Sequence, residues 1–235
     1  MAGKMPAGRP AKVDHVREDF ISAVDQSMAL VRAIKGLPVK VRPSNAVGLH
    51  PKYADQVVSL AFMGIVASWE EFLERTTVRY LTGSKTDTGY KPTLKHGKAD
   101  TIEHAYELLS LDPDYKPDKS YLKMTDTRWL RRVADFYFSS HPYGVLQNST
   151  DLLKNASSIR NRVAHESTKS KADFKATAVW FLQPANDTLK QGYGPGALLQ
   201  APVQRHFGQQ AVQQNLSHLE AYAAFYIDLA KQIVP

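Results

Sequence analysis

From Tyr53 to Leu81 the chain repeats one pattern without a break: Val58, Phe62, Ile65, Trp69, Phe72, Thr76 and Tyr80 follow one another every three or four positions. A helix advances about 100° per residue, so this spacing gathers them on one side and demands a partner surface to bury them. Gly83 is placed to stop the helix. A chain with such a helix at its centre must pack other helices around it, and the remaining periodicity supplies them. Val16, Phe20, Val24, Met28 and Val31 predict a first helix from Val13 or Asp14, ended by Gly36 and Pro38. Shorter helices are predicted from about Ala99 to Leu111, from Tyr121 to Phe138, from Ser149 or Thr150 through His165, and from about Ala172 to Leu182. Val212, Leu216, Leu219, Tyr222, Tyr226, Leu229 and Ile233 mark a terminal amphipathic helix.

Between these elements the sequence is rich in turn formers. Thr82 to Lys98 reads as a surface loop, Asp112 to Asp118 as a break, His141 to Gly144 as a helix stop, and Gln183 to Arg205 as a loop without periodicity. No alternating strand pattern stands out. The expected fold is therefore all-α, an antiparallel helical bundle with long surface loops, forming one domain over residues 13–235 behind a flexible basic tail at 1–12.

Composition narrows the chemistry. The 235 residues include no cysteine, which removes disulfides, thiolate nucleophiles and Cys-ligated metal, and makes a cytoplasmic setting the expectation. The uncharged apolar run Val57–Trp69 is shorter than the ~20 residues of a bilayer span and continues into Glu70-Glu71, so it reads as a buried helix, with no membrane partner. The tail Met1–Lys12 lacks the apolar centre of a signal peptide. His50, His96, His104, His141, His206 and His218 show no zinc-binding spacing, Ser139-Ser140-His141 lacks the turn of a serine nucleophile, and there is no Gly-rich phosphate loop. Neither metal nor cofactor is expected. A formal net charge of +7 attracts polyanions, of which nucleic acid is the commonest.

One segment combines groups suited to RNA chemistry: Arg160-Asn161-Arg162-Val163-Ala164-His165. Leu152, Ala156, Ile159 and Val163 predict the buried stripe of this helix. Counted from Leu152 on an ideal helix, Arg160 lies at about 80°, Asn161 at about 180° and His165 at about 220°, so the polar groups turn from the core. Asn161 and His165, four residues apart, are expected to share a face, with the amide orienting the imidazole. Histidine titrates at about 6.5 and can exchange a proton with a ribose 2′-hydroxyl or a departing 5′-oxygen. Arginine can donate two hydrogen bonds to a phosphate as charge builds on it. Arg160 and His165 are about 140° apart on the ideal wheel, so Arg160 must reach around or act from a second subunit. Lys154, Arg162, Lys169 and Lys171 flank the segment as candidate RNA contacts, and a plain solvated charge run would have the same composition.

These residues resemble the signature of the HEPN superfamily, in which an arginine, a following polar residue and a histidine after four to six intervening residues sit on a helix of a bundle. Here they are Arg160, Asn161 and His165. Trp69-Glu70-Glu71-Phe72-Leu73, late in a long apolar helix, is similar to the early helix of the RiboL-PSP group, where an acidic residue two before a phenylalanine is common; this selects Glu70. The resemblance spans roughly Tyr53 to Leu182. It implies a metal-independent endoribonuclease in which His165 is the acid or base, Arg160 clamps the phosphate, Asn161 orients and Glu70 supports Arg160. It further implies a homodimer pairing two motif helices, a toxin or anti-phage role through abortive infection, and an inhibitor or antitoxin partner. In one toxin branch the histidine is followed two residues later by a tyrosine that becomes nucleotidylated; here that position is Ser167. Arg9 and His15 also satisfy the bare spacing, but in the Gly/Pro-rich tail. A non-catalytic helical module binding RNA or a partner protein is the alternative, Glu70 could be an ordinary rim residue, and Trp69, Trp129 and Trp180 read as core packing.

Overall fold

The computed structural model describes residues 12–38, 48–111, 122, 124 and 126–235. The tail at 1–11 and the break at 112–118 lie outside them. The described chain is mostly helical. In order it forms α1 (Asp14–Lys35), α2 (Pro51–Leu81), β1 (Thr93–Leu94), α3 (Ile102–Ser110), α4 (Thr127–Tyr137), β2 (Phe138–Ser140), α5 (Val145–Asn148), α6 (Thr150–Ala164), α7 (Thr168–Leu182), α8 (Pro195–Gln200), α9 (Gln209–Gln213) and α10 (His218–Ile233). The predicted stripe of α2 is buried at every position from Val58 to Tyr80, and Gly83 follows it with φ of 80°. By length and composition α2 could cross a membrane, and 50% of its most apolar window is buried inside the protein.

The chain divides into two compact units, Met1–Phe20 with Glu70–Asn148 and Leu229–Pro235, and Ile21–Trp69 with Ser149–Asp228. In the first, Phe20 packs on Phe72 with ring centroids 5.3 Å apart, and Tyr80 donates to the carbonyl of Ile233 at 2.8 Å. The buried hydroxyls of Thr77 and Tyr143 lie 2.8 Å apart, and burial pushes the Tyr143 phenol well above its ordinary pKa. The stretch after α2 is tied down more closely than a surface loop. Val13 N–H donates to the Lys85 carbonyl, Asp87 N–H to the Asp14 carboxylate at 2.8 Å, and Thr82, Ser84 and Thr86 are buried. β1 pairs antiparallel with β2, Thr93 opposite Ser140 and Leu94 opposite Phe138. Two- and three-residue strands are too short to show alternation, so neither was expected from the residue pattern. The helix predicted over 121–138 is shorter: Asp126 caps α4 by accepting from the N–H groups of Arg128 and Trp129.

The second unit has an aromatic centre. Phe62 and Phe181 pack on Tyr222 at 5.2 and 6.0 Å, and Trp69 packs on Tyr226 at 5.2 Å. Side chains of this size contribute about 1.5–3 kcal/mol each on full burial, so this cluster is a main source of the unit's stability. α6 and α7 form an antiparallel hairpin, linked across by the Thr177 hydroxyl donating to Asn155 Oδ1 at 2.8 Å. The expected loop at 183–205 instead contains α8, whose Leu198 and Leu199 are fully buried. Gly196 allows this: a Cβ there would fall 2.1 Å from the Asp55 carbonyl oxygen, so α8 lies directly against the backbone of α2. Gln200 Nε2 then donates to Asp55 Oδ1 at 2.6 Å. The terminal helix starts at His218; Val212 belongs to the separate α9.

Candidate functional site

The Arg160–His165 segment lies at the end of α6, in the second unit. Its buried residues are Leu153, Ala156 and Ile159, while Leu152 and Val163 are half-buried. Relative to the predicted stripe, the buried sector is turned by roughly 30° toward Arg160. Arg160 is therefore half-buried, its Nε is shielded from solvent with no hydrogen-bond partner among the described residues, and its Nη1 donates to Asn161 Oδ1 at 3.2 Å. It forms no ion pair among those residues.

The helix ends one residue before the histidine. Ala164 is the last helical residue, and His165 is extended at φ −137° and ψ 138°, its N–H closing the final turn on the Asn161 carbonyl. The cause lies downstream. Ser167 caps α7 by accepting from Ser170 N–H at 3.1 Å, so α7 starts at Thr168, four residues before the predicted Ala172, and only three residues connect the two helices. The expected Asn161–His165 pairing on one helical face is thus not formed: Asn161 holds Arg160, and the His165 imidazole makes no hydrogen bond among the described residues. It is exposed.

Two residues position this turn: Ser170, which sequence reasoning did not single out, and Arg162, expected there as an RNA contact. Ser170 is buried and donates to the His165 carbonyl at 2.8 Å. Arg162 donates to the same carbonyl at 3.2 Å and to Glu166 at 2.8 Å, while Lys171 pairs with Glu166 at 3.3 Å. Hydrogen bonds from Arg162 and then Lys171 hold the exposed Glu166 carboxyl below its ordinary pKa. The backbone at His165 is therefore held from two sides while its ring is left open. Ser167 followed by Ser170 was the legible sign of an earlier α7 start.

Around the turn, Lys154 is exposed and Lys169 pairs with Asp173 at 2.6 Å through a largely exposed contact worth little against solvent. Lys154, Arg160, Arg162, Lys169 and Lys171 outnumber the local acids Asp151, Glu166 and Asp173, and the hairpin end is cationic. Glu70 lies on the stretch of α2 in the first unit and is half-buried; Glu71 beside it is exposed and pairs with Arg75 at 3.3 Å. Trp69 is a core residue, as expected, but Trp180 is half-buried with the exposed His206 ring stacked on it.

Comparison with family models, with curated proteins and with solved structures finds no match to this chain.

Proposed function

We propose that this chain is a metal-independent endoribonuclease of the HEPN kind, with His165 as proton-transfer residue and Arg160 as phosphate clamp. The observation that carries the reading is the hairpin end itself. An exposed imidazole with no hydrogen bond among the described residues follows a helix whose last turns present Arg160 and Asn161, in a cationic surround. Ser170 and Arg162 hold the backbone from which the imidazole projects, so the ring has a fixed point of attachment.

In the proposed reaction a base removes the proton of a ribose 2′-hydroxyl, and the 2′-oxygen attacks the adjacent phosphorus. The bond from phosphorus to the 5′-oxygen breaks, and that oxygen takes a proton. The products are a 2′,3′-cyclic phosphate and a 5′-hydroxyl, with no redox change and no co-reactant. Arg160, with Asn161 steering its guanidinium, neutralises the charge gathering on the phosphate oxygens. One histidine serves one proton transfer at a time, so a homodimer bringing a second hairpin end to the same phosphate supplies the other. Glu70 is kept as a candidate catalytic residue, and Arg162, Lys154 and Lys169 are assigned to hold the RNA backbone. A toxin or anti-phage effector restrained by an inhibitor or antitoxin is the biological role that goes with this chemistry.

The test is purified full-length protein with total RNA in EDTA. Wild type should cleave, and Arg160→Ala and His165→Ala should each lower the rate by about a hundredfold or more. Cleavage that requires a divalent ion, or that persists in both variants, overturns the mechanism. Intact RNA in all three with salt-sensitive binding retained identifies a non-catalytic RNA-binding module instead.

A further inference from the structure

The ribonuclease reading leaves unused a second feature of the same unit, beside the far end of α7. The His206 ring lies on the indole of Trp180, with centroids 3.5 Å apart and planes within 13°. His206 Nε2 donates to the Trp180 carbonyl at 3.1 Å, which keeps the imidazole flat on the indole. Its backbone has φ of 73°, a left-handed conformation that is uncommon in residues other than glycine and that the stack and hydrogen bond stabilise. Next to it an open hollow of about 490 Å³ is lined by Gln204, Arg205, His206, Gln209, Val212 and Gln213.

The chemistry of this hollow is uniform. From Thr188 to Leu219 the sequence has no aspartate or glutamate and has seven glutamines, three of which line the hollow. Arg205 forms no ion pair among the described residues, and its buried Nε has no hydrogen-bond partner there. Three kinds of recognition are therefore side by side: a flat imidazole stack for a planar ring, a cation without a counter-charge for an anion, and amides that both donate and accept. A nucleotide with an unpaired base presents those three groups together, and the volume is of the size that small-molecule sites have. A duplex would keep its base faces stacked internally and could not use the ring.

We propose that the hollow beside the Trp180–His206 stack is a subsite for a nucleotide of single-stranded RNA, with the base on His206, its edge met by Gln204, Gln209 or Gln213, and the phosphate on Arg205. The choice of RNA rests on the ribonuclease reading. Trp180 is about 18 Å along α7 from Thr168, the first residue after the candidate turn, at 1.5 Å per residue. A short strand can span that distance, so the subsite would hold substrate to one side of the cleaved bond and favour unpaired RNA.

The experiment uses the full chain with His165→Ala, which separates binding from cleavage, and a labelled 12-nucleotide single-stranded RNA of mixed sequence followed by fluorescence anisotropy. Arg205→Ala and His206→Asn should each weaken binding about five- to a hundredfold, asparagine being chosen because it tolerates the left-handed backbone. RNA should also change the tryptophan emission of the parent, and Trp180→Phe should remove most of that change. Unchanged affinity in Arg205→Ala together with an unaltered emission response in Trp180→Phe overturns the subsite, as does equal affinity for a duplex of the same sequence. The two readings fail separately. Cleavage dependent on Arg160 and His165 with no effect of Arg205 or His206 on binding leaves the nuclease and removes the subsite. Weakened binding in those variants without cleavage by wild type keeps the subsite and removes the nuclease.

Discussion

Replacing Gly196 by alanine should destabilise the second unit, although local propensity argues the other way. Alanine in a helix is favoured over glycine by up to about 1 kcal/mol, and it lowers the entropy of the unfolded chain. Space decides the sign. The new methyl would lie 2.1 Å from the Asp55 carbonyl oxygen and 2.5 Å from its carbonyl carbon and Cα, all backbone atoms of α2 that cannot rotate away. α8 must then shift or lift. A small shift costs about 1–3 kcal/mol as overpacking. Lifting exposes Leu198 and Leu199 at about 1.5–3 kcal/mol each and breaks the 2.6 Å bond from Gln200 to the Asp55 carboxyl. Allowing for the helical gain, a net loss of about 1–4 kcal/mol is expected, which lowers Tm by roughly 2–16 °C for a chain of this size. Thermal and urea unfolding read it directly, with Gly194→Ala as a control because its Cβ would meet nothing closer than 4.0 Å. A Tm for Gly196→Ala equal to or above that of wild type would refute the close docking of α8 on α2.

Other expectations rest on separate contacts. His218 is buried, donates from Nδ1 to the Ala201 carbonyl at 2.9 Å, and is held below its ordinary pKa chiefly by burial. Its unfolded form therefore takes up a proton before the folded one, so stability is lost as pH falls below about 6.5, by at most about 1.4 kcal/mol per unit. Urea titrations at pH 7.5 and 5.5 should show a smaller loss in His218→Asn than in wild type, and equal losses would contradict this. In the first unit, Thr77→Val strips Tyr143 of one of its buried hydroxyl neighbours, Thr76 being the other, and should cost about 1–3 kcal/mol by the same assay, against almost nothing for an exposed threonine. For the proposed cleavage, Glu70→Gln should slow the reaction and Glu71→Gln should leave it unchanged; the reverse order would remove Glu70 from the site.

Much of the fold was legible because helices are coded locally. The stripe of α2 and the start and stop of α1 follow from period and end residues that need no distant partner. β1 and β2 were not legible, since their pairing joins Thr93 to Ser140 across more than forty residues and neither strand is long enough to alternate. α8 was hidden for a related reason: its glycine and proline read as turn formers, and only the backbone of α2 lying against Gly196 turns them into a packing device.

The candidate site divides in the same way. Sequence by itself determined which groups are gathered at 160–165, their net positive surroundings, and a helix that carries Arg160 and Asn161, because composition and a 3.6-residue period are properties of the chain alone. Tertiary structure decided how those groups are presented. Packing turned the buried sector toward Leu153 and shielded Arg160, and the short link to α7 ended α6 at Ala164, giving His165 an extended backbone fixed by Ser170. An ideal wheel assumes that the helix continues and that its buried face is centred on its apolar residues. The hairpin with α7 sets both, and no residue within 160–165 encodes it.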